Sequence, residues 1–182
     1  RGGAGLELAW LPGPTEPWPA AGLQGVWGPP PAAPPPWLSS RHDIFQRDPS
    51  QSVRGPGSRR HACANNPHFR QASDRIVTAL AERFGRQPAV VGWQIDNEFG
   101  CHRTGHCFCD HCRAGFQQWL ARKYQTLDRL NQSWGTVFWS AVYTEWTQIP
   151  LPEMTPAQPN PSLQLDFRRF SSESWVNYQQ TQ

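Results

Sequence analysis

Residues 66–98 have the pattern of a helix, a short loop and a strand. Asn66 suits an N-cap and Pro67 the first helical position, and apolar residues then keep helical spacing as far as Gly85. The run that follows, residues 89–95, is short and mostly apolar, which is typical of a strand buried on both faces. A helix followed closely by such a strand predicts an α/β fold.

The chain continues with further helical patterns after this strand. We predict helices at residues 112–124 and 126–134, the second ending at Gly135, and a last helix that begins near Pro161. The segment that leads to the last helix is rich in aromatic residues, which we predict to be core rather than a stacking platform for a sugar. These aromatic residues are Trp134, Phe138, Trp139, Tyr143 and Trp146.

Proline dominates the chain before residue 37. Ten of the 19 prolines lie between Pro12 and Pro36. Because proline has no backbone N–H, this stretch is predicted to be loop or extended chain as far as Trp37. Two short apolar pieces, residues 5–10 and 22–27, are strand candidates, although a glycine weakens the second.

The length, the charge and the hydropathy of the chain argue against several classes of protein. The chain has 182 residues, whereas a complete (β/α)₈ barrel needs about 250, so a complete barrel is not expected. The formal charge of +3 is too small to indicate nucleic-acid binding, and no run of 18 apolar residues predicts a membrane span. Met154 is the only methionine, and we therefore expect a piece of a longer product.

Three cysteines fall within six residues, at Cys107, Cys109 and Cys112. Thiolates at this spacing can converge on one cation at about 2.3 Å, which predicts a structural zinc site rather than free or oxidised thiols. A tetrahedral site needs a fourth ligand, and the spacing alone does not choose one. The candidates are Cys101, His102, His106, His111 and, farther along the chain, Cys63.

The predicted strand at residues 89–95 ends in Asp96, Asn97 and Glu98. In parallel α/β folds, chemistry gathers beyond the carboxyl ends of strands. A glutamic acid there can protonate a leaving oxygen, and Asn97 can donate a hydrogen bond to a sugar hydroxyl. The alternative is that these residues only end the strand and cap a turn. A small basic group, residues 59–61, is predicted to be a solvated face.

Five segments together resemble the β-galactosidases of glycoside hydrolase family 42. They are residues 32–38, 58–67, 90–102, 107–112 and 134–140. The resemblance implies that residues 22–182 are part of a catalytic TIM (β/α)₈ barrel, from about the third strand to the fourth helix, with a zinc-binding loop after the fourth strand. Residues 1–21 are left unassigned.

The resemblance also implies roles for single residues. Glu98 corresponds to the family's acid/base, and Asn97 and Arg59 match positions that contact the sugar. The family's structural zinc site takes one distant cysteine and the Cys-x-Cys-x-x-Cys set, which leaves Cys101 spare. The implied zinc ligands are Cys63, Cys107, Cys109 and Cys112.

The implied activity is hydrolysis of terminal β-galactosides with retention. The second glutamate, the nucleophile, stands on a later strand that the 182 residues do not contain, so we expect the isolated chain to be weakly active or inactive. The implied partner is a galactoside or oligosaccharide substrate, with no nucleic acid or membrane, in a homo-oligomer such as a trimer in the bacterial cytoplasm. Two alternatives stay open. One is another retaining barrel glycosidase, which the cysteine set argues against, and the other is a zinc-stabilised binding module in which Glu98 has no chemical role.

Overall fold

The computed structural model describes residues 21–28 and 31–182. The predicted strand at residues 5–10 lies outside these residues. The strands and helices of the described part are β1 Gly25–Trp27, α1 Pro36–Arg41, α2 Pro67–Phe84, β2 Val90–Trp93, α3 Asp110–Tyr124, α4 Leu127–Trp134 and α5 Pro161–Gln180.

β1 and β2 form a parallel pair, with Val26 opposite Gly92 and Trp27 opposite Trp93. The register is irregular after Gly25, where glycine also weakened the sequence pattern. Trp27 stacks on Phe84 of α2 with ring centres 4.4 Å apart, so the helix packs against the strand pair. The parallel α/β arrangement around these strands is confirmed.

The prediction that β2 is buried on both faces is wrong. Val91 is 56% exposed and Trp93 is 38% exposed. The physical reason is that, within residues 21–28 and 31–182, β1 is the only strand that pairs with β2, so the other edge of β2 stays open. Val26 of β1, at 65% exposure, lies equally open.

The predicted ends of α2 and α4 are confirmed. The Asn66 side chain accepts hydrogen bonds from the backbone N–H groups of His68 and Phe69, the second and third residues of α2, and Gly85 ends that helix. Thr126 caps α4 by accepting from the N–H of Arg129 at 3.3 Å. Gly135 ends it in the left-handed conformation (φ 62°), which glycine adopts without a Cβ clash.

One helix begins inside the proline-rich stretch, where loop or extended chain was expected. α1 begins at Pro36 and includes Trp37, so the prediction is wrong for the end of that stretch. Pro36 occupies the first helical position, where the backbone N–H has no helical partner and its absence costs nothing.

The main core lies between α3, α4 and α5. Phe116 and Leu120 of α3, Leu130 of α4 and Phe167 of α5 are at most 2% exposed. A smaller core joins α2 to the end of α5 through Phe69 and Tyr178, whose rings are 5.4 Å apart. Within the described residues, no helix is both long and apolar enough to cross a membrane.

The prediction that the aromatic residues before α5 are core is wrong for two of them. Trp134 is 5% exposed, but Phe138 and Trp139 are 70% and 85% exposed. They lie in a single turn of 3₁₀ helix in which Trp139 has a positive φ of 60°. This tight turn points the two rings away from the core.

Candidate active site and metal centre

The loop after β2, residues 94–100 (the β2 loop), begins where the strand pairing ends. The Gln94 N–H still donates to the Trp27 carbonyl at 2.7 Å, and the Gln94 side chain donates to Asn97 Oδ1 at 3.0 Å. Asp96 and Glu98 then have positive φ angles of 53° and 50°. Non-glycine residues are uncommon in this conformation and cluster at functional sites.

Glu98 pairs with Arg59 across this loop. Glu98 Oε2 lies 2.6 Å from Arg59 Nη2, and the two side chains are 45% and 41% exposed. Arg59 also approaches His102 Nε2 at 3.4 Å. Solvated ion pairs of this kind stabilise a fold by at most about 1 kcal/mol, so a ligand can compete for either partner at little cost. The predicted residues Glu98 and Arg59 are thus brought together, and Asn97 lies in the same loop.

Arg60, the next residue along the chain, is buried rather than exposed. Arg60 makes hydrogen bonds of 3.0 and 2.8 Å to the two carboxylate oxygens of Asp96. The side chains are 2% and 0% exposed. The prediction that residues 59–61 form a solvated basic face is therefore wrong for Arg60 and also for His61, which is 5% exposed.

The physical reason for this correction is charge compensation. A buried guanidinium needs a partner, and Asp96 supplies two acceptors in a geometry that matches the arginine fork. His61 is buried with its Nδ1 at 3.1 Å from the Ser58 carbonyl, and desolvation lowers its pKa. The sequence pattern missed the Arg60–Asp96 pair because the two residues are 36 positions apart.

Four buried cysteines converge at a second place. The Sγ atoms of Cys63, Cys107, Cys109 and Cys112 all lie within 4.8 Å of one another. Cys63 Sγ is 3.4 Å from Cys112 Sγ and 3.6 Å from Cys109 Sγ. These distances are too long for a disulfide bond of about 2.05 Å. They approach the separation of about 3.8 Å that four sulfurs have around zinc with Zn–S bonds of about 2.3 Å.

The donor set fits a tetrahedral metal ion. Hydrogen bonds with the other three sulfurs, followed by burial, raise the pKa of Cys63. The same mutual contacts lower the pKa of Cys109, so one member of the cluster is favoured as a thiolate. Asn65 contributes two further contacts, from its backbone N–H to Cys63 Sγ and from its side-chain amide to Cys112 Sγ, each 3.4 Å long. A divalent cation would replace the thiol protons in this closed, buried cage.

The remaining cysteine is outside the cluster. Cys101 is exposed and free, and it lies in a single turn of 3₁₀ helix after β2. The cluster instead recruits Cys63, which precedes α2, and joins it to the start of α3 at Cys109 and Cys112. An ion here would tie together the beginnings of two helices.

A sequence model of glycoside hydrolase family 42, described as beta-galactosidase, matches residues 6–182. The chain belongs to glycoside hydrolase family 42. The resemblance found in the motifs is therefore confirmed, and it extends into the segment before residue 22 that the motifs left unassigned.

Family 42 relatives match almost the whole chain. Beta-galactosidase Bga of Halorubrum lacusprofundi is 45% identical over 174 residues, which are 95% of this chain and 25% of that protein. A beta-galactosidase of Thermus thermophilus is 45% identical over 169 residues, 92% of this chain and 26% of that protein. The crystal structure of beta-galactosidase from the psychrophilic Marinomonas ef1 has a TM-score of 0.85 at 44% identity, and the match covers 87% of this chain and 24% of that one. The family 42 chain spans about a quarter of the length of these relatives.

Proposed function

We propose that the protein containing this chain hydrolyses terminal β-D-galactosides with retention, and that residues 22–182 are the part of its (β/α)₈ catalytic domain from about the third strand to the fourth helix. The observation that carries the proposal is the placement of Glu98. It stands just beyond a parallel strand, exposed to solvent and paired with a cationic side chain at 2.6 Å. Support comes from family membership and from relatives that are named beta-galactosidases.

In this proposal Glu98 is the acid/base of a double displacement. A second glutamate, from a later strand of the barrel, attacks the anomeric carbon while Glu98 gives its proton to the departing glycosidic oxygen. The aglycone leaves as an alcohol. Glu98, now a carboxylate, then takes a proton from water, the water oxygen attacks the anomeric carbon, and galactose leaves as the nucleophile regains its charge.

Arg59 and Asn97 bind the sugar in this scheme. Glu98 must be free to reach the leaving oxygen when it acts as the proton donor, so we assign the Arg59–Glu98 pair to the ligand-free site. A sugar hydroxyl takes the place of one partner, and Arg59 then donates to the sugar. Asn97, whose Oδ1 accepts from Gln94, keeps its amide N–H groups for a second hydroxyl.

Zinc is the metal that we assign to the cysteine cluster. Four thiolates form a closed tetrahedral set, which is typical of a structural site and offers no open position for a substrate. Bound zinc would supply a cross-link between the starts of α2 and α3. The cluster residues hold that ion, and they take no part in proton transfer.

The acid/base role is tested with Glu98→Gln in the full-length protein. Phenyl β-galactoside has a poor leaving group that needs protonation, so its kcat/KM should fall by about 100-fold or more. The 2,4-dinitrophenyl β-galactoside leaves without protonation, so its first step should be affected far less. Added azide should restore turnover of the glycosyl-enzyme and yield galactosyl azide, because azide needs no general base.

Glu145→Gln is the matched control, since Glu145 is an acidic residue outside the β2 loop. It should leave the rates of both substrates and the azide response unchanged. Equal losses for both galactosides in Glu98→Gln, with no effect of azide, would remove Glu98 from the acid/base role. An unchanged rate would favour a binding function for this site.

A further inference from the structure

The proposed chemistry leaves the buried ion pair beneath the β2 loop unused. Arg60 and Asp96 make two hydrogen bonds to each other, and their side chains are almost fully buried. Each residue is the chain neighbour of a residue at the proposed sugar site, because Arg60 follows Arg59 and Asp96 precedes Asn97. The pair therefore joins two chain segments at the point where both reach the site.

Both members of this pair have a backbone in the left-handed conformation. Arg60 has a φ of 67° and Asp96 a φ of 53°. A residue other than glycine keeps this backbone conformation only where surrounding contacts hold it. The contacts are present: the Arg60 N–H donates to the Ala32 carbonyl at 2.7 Å, and Asp96 Oδ1 also accepts from the Asn97 N–H at 2.7 Å. Arg60 consequently lies inward while Arg59 lies outward.

The flat guanidinium of Arg60 also packs against two aromatic rings. Its central carbon lies 4.9 Å from the ring centre of Phe99 and 6.0 Å from that of Trp175. Trp175 belongs to α5 and donates from Nε1 to the Gly105 carbonyl at 3.2 Å. A lysine could replace the charge of Arg60 but neither its two-pronged hydrogen bonding nor its flat contacts.

We propose that Arg60 and Asp96 form a positioning pair that sets the distance and direction between Arg59 and Glu98 for glycoside cleavage. The inference rests on the proposed function, because it needs Glu98 as the acid/base. The pair acts through its neighbours and touches no reacting atom. Displacement of a reacting group by about 1 Å can lower a rate by about 100-fold, so loss of the pair should reduce turnover without removing any group that contacts the sugar.

The test is the double variant Arg60→Gln/Asp96→Asn in the full-length protein. It leaves no unpaired buried charge, and asparagine tolerates the left-handed conformation of residue 96. The melting temperature should therefore stay close to that of the wild type. The kcat/KM for phenyl β-galactoside should still fall by about 100-fold, and that for the 2,4-dinitrophenyl galactoside should fall far less. Wild-type kinetics for both substrates in the folded double variant would overturn the proposal.

Arg60→Lys keeps the test decisive if the double variant does not fold. It preserves the charge opposite Asp96 but loses the second hydrogen bond, so the same change in leaving-group dependence is expected. Wild-type kinetics in Arg60→Lys would overturn the positioning role. Asp166→Asn is the matched control, because it breaks the ion pair that buried Asp166 of α5 makes with partly solvated Lys123 of α3. It should lower the melting temperature and leave the ratio of the two rates unchanged, and an equal shift of that ratio would show mere destabilisation.

Glu98→Gln separates the two proposals. If Glu98→Gln shows no leaving-group dependence, the proposed function fails. If it does show that dependence but the Arg60 variants keep the wild-type ratio, only the positioning role fails.

Discussion

The cysteine cluster and the Arg59–Glu98 pair differ in the direction of their polar groups. The four sulfurs of the cluster point towards one another, and the cysteines that carry them are at most 8% exposed. Glu98 and Arg59 pair at the surface, with nearly half of each side chain exposed. The cluster adjoins the core of α3 and α5, whereas the strands beside the loop leave Val26 and Val91 open.

This difference separates stability from chemistry. The four sulfurs of the cluster contact only one another and neighbouring groups of the chain. Loss of one of them should therefore destabilise the fold. An exposed pair of a carboxylate and a guanidinium stabilises the fold little, but either group can leave its partner and bind a ligand instead. Changes at the cluster should therefore alter metal content and stability, and changes at the loop should alter kinetics.

The largest effect is expected for Cys63→Ser. Structural zinc contributes about 10 to 16 kcal/mol of apparent binding energy in small peptides, so loss of one thiolate should lower both zinc content and melting temperature sharply. Zinc measured by inductively coupled plasma mass spectrometry should be about one ion per wild-type chain. Cys101→Ser is the matched control, because it makes the same chemical change at an exposed cysteine outside the cluster.

Cys101→Ser should retain the metal. Zinc that persists in Cys63→Ser and disappears in Cys101→Ser would indicate a local site built from the loop after β2. That outcome would contradict the assignment of Cys63 as a ligand.

A smaller loss of stability is expected for Asp166→Asn. Asp166 is 2% exposed and accepts hydrogen bonds from Tyr124 at 2.7 Å, from Trp134 at 3.1 Å and from Lys123. Since Lys123 remains partly solvated, the cost should be about 2 kcal/mol rather than the larger value for a fully buried pair. Urea denaturation at pH 7 measures this loss, and kinetics on galactosides should not change in the folded variant.

The same residue predicts a pH dependence. Burial would raise the pKa of Asp166, but hydrogen bonds from Lys123, Tyr124 and Trp134 outweigh it and hold the pKa below its usual value of 3.8. A lowered folded-state pKa means that this stabilisation is fully present above pH 3.8 and is lost as the pH falls through the folded-state pKa. The stability difference between wild type and Asp166→Asn should therefore shrink below about pH 4. A constant difference down to pH 2 would contradict this account.

The smallest change in folding stability is expected for residues around the Arg59–Glu98 pair. Arg59→Ala and Asn97→Ala should each leave a sugar hydroxyl without a partner, at about 1 to 3 kcal/mol, and so lower kcat/KM by about 10-fold or more. Melting temperatures should stay close to the wild-type value, because the Arg59 pair is solvated. Arg122→Ala, at an exposed arginine of α3, is the matched control. Wild-type kinetics in a folded Arg59 or Asn97 variant would remove that residue from the sugar site.

Several features follow from short stretches of sequence. The ends of α2 and α4 are set by capping groups within a few residues, at Asn66, Thr126 and Gly135. Their hydrogen bonds are local, so the pattern that predicts them is also local. Likewise, the apolar run before Asp96 is sufficient to predict a strand with Glu98 just beyond its end.

The choice between chemically equivalent residues depends on contacts between distant segments. Spacing alone did not distinguish Cys63 from Cys101 as the fourth cluster member, and it treated Arg59 and Arg60 as one basic group. The structure separates them because Cys63 meets Cys109 across 46 positions and Arg60 meets Asp96 across 36. The sequence by itself determined the described strands and helices other than α1, and which kinds of donor are available, because those depend on neighbouring residues. Only the tertiary structure decided which cysteine and which arginine are buried, because burial depends on the partner that the fold brings to each one.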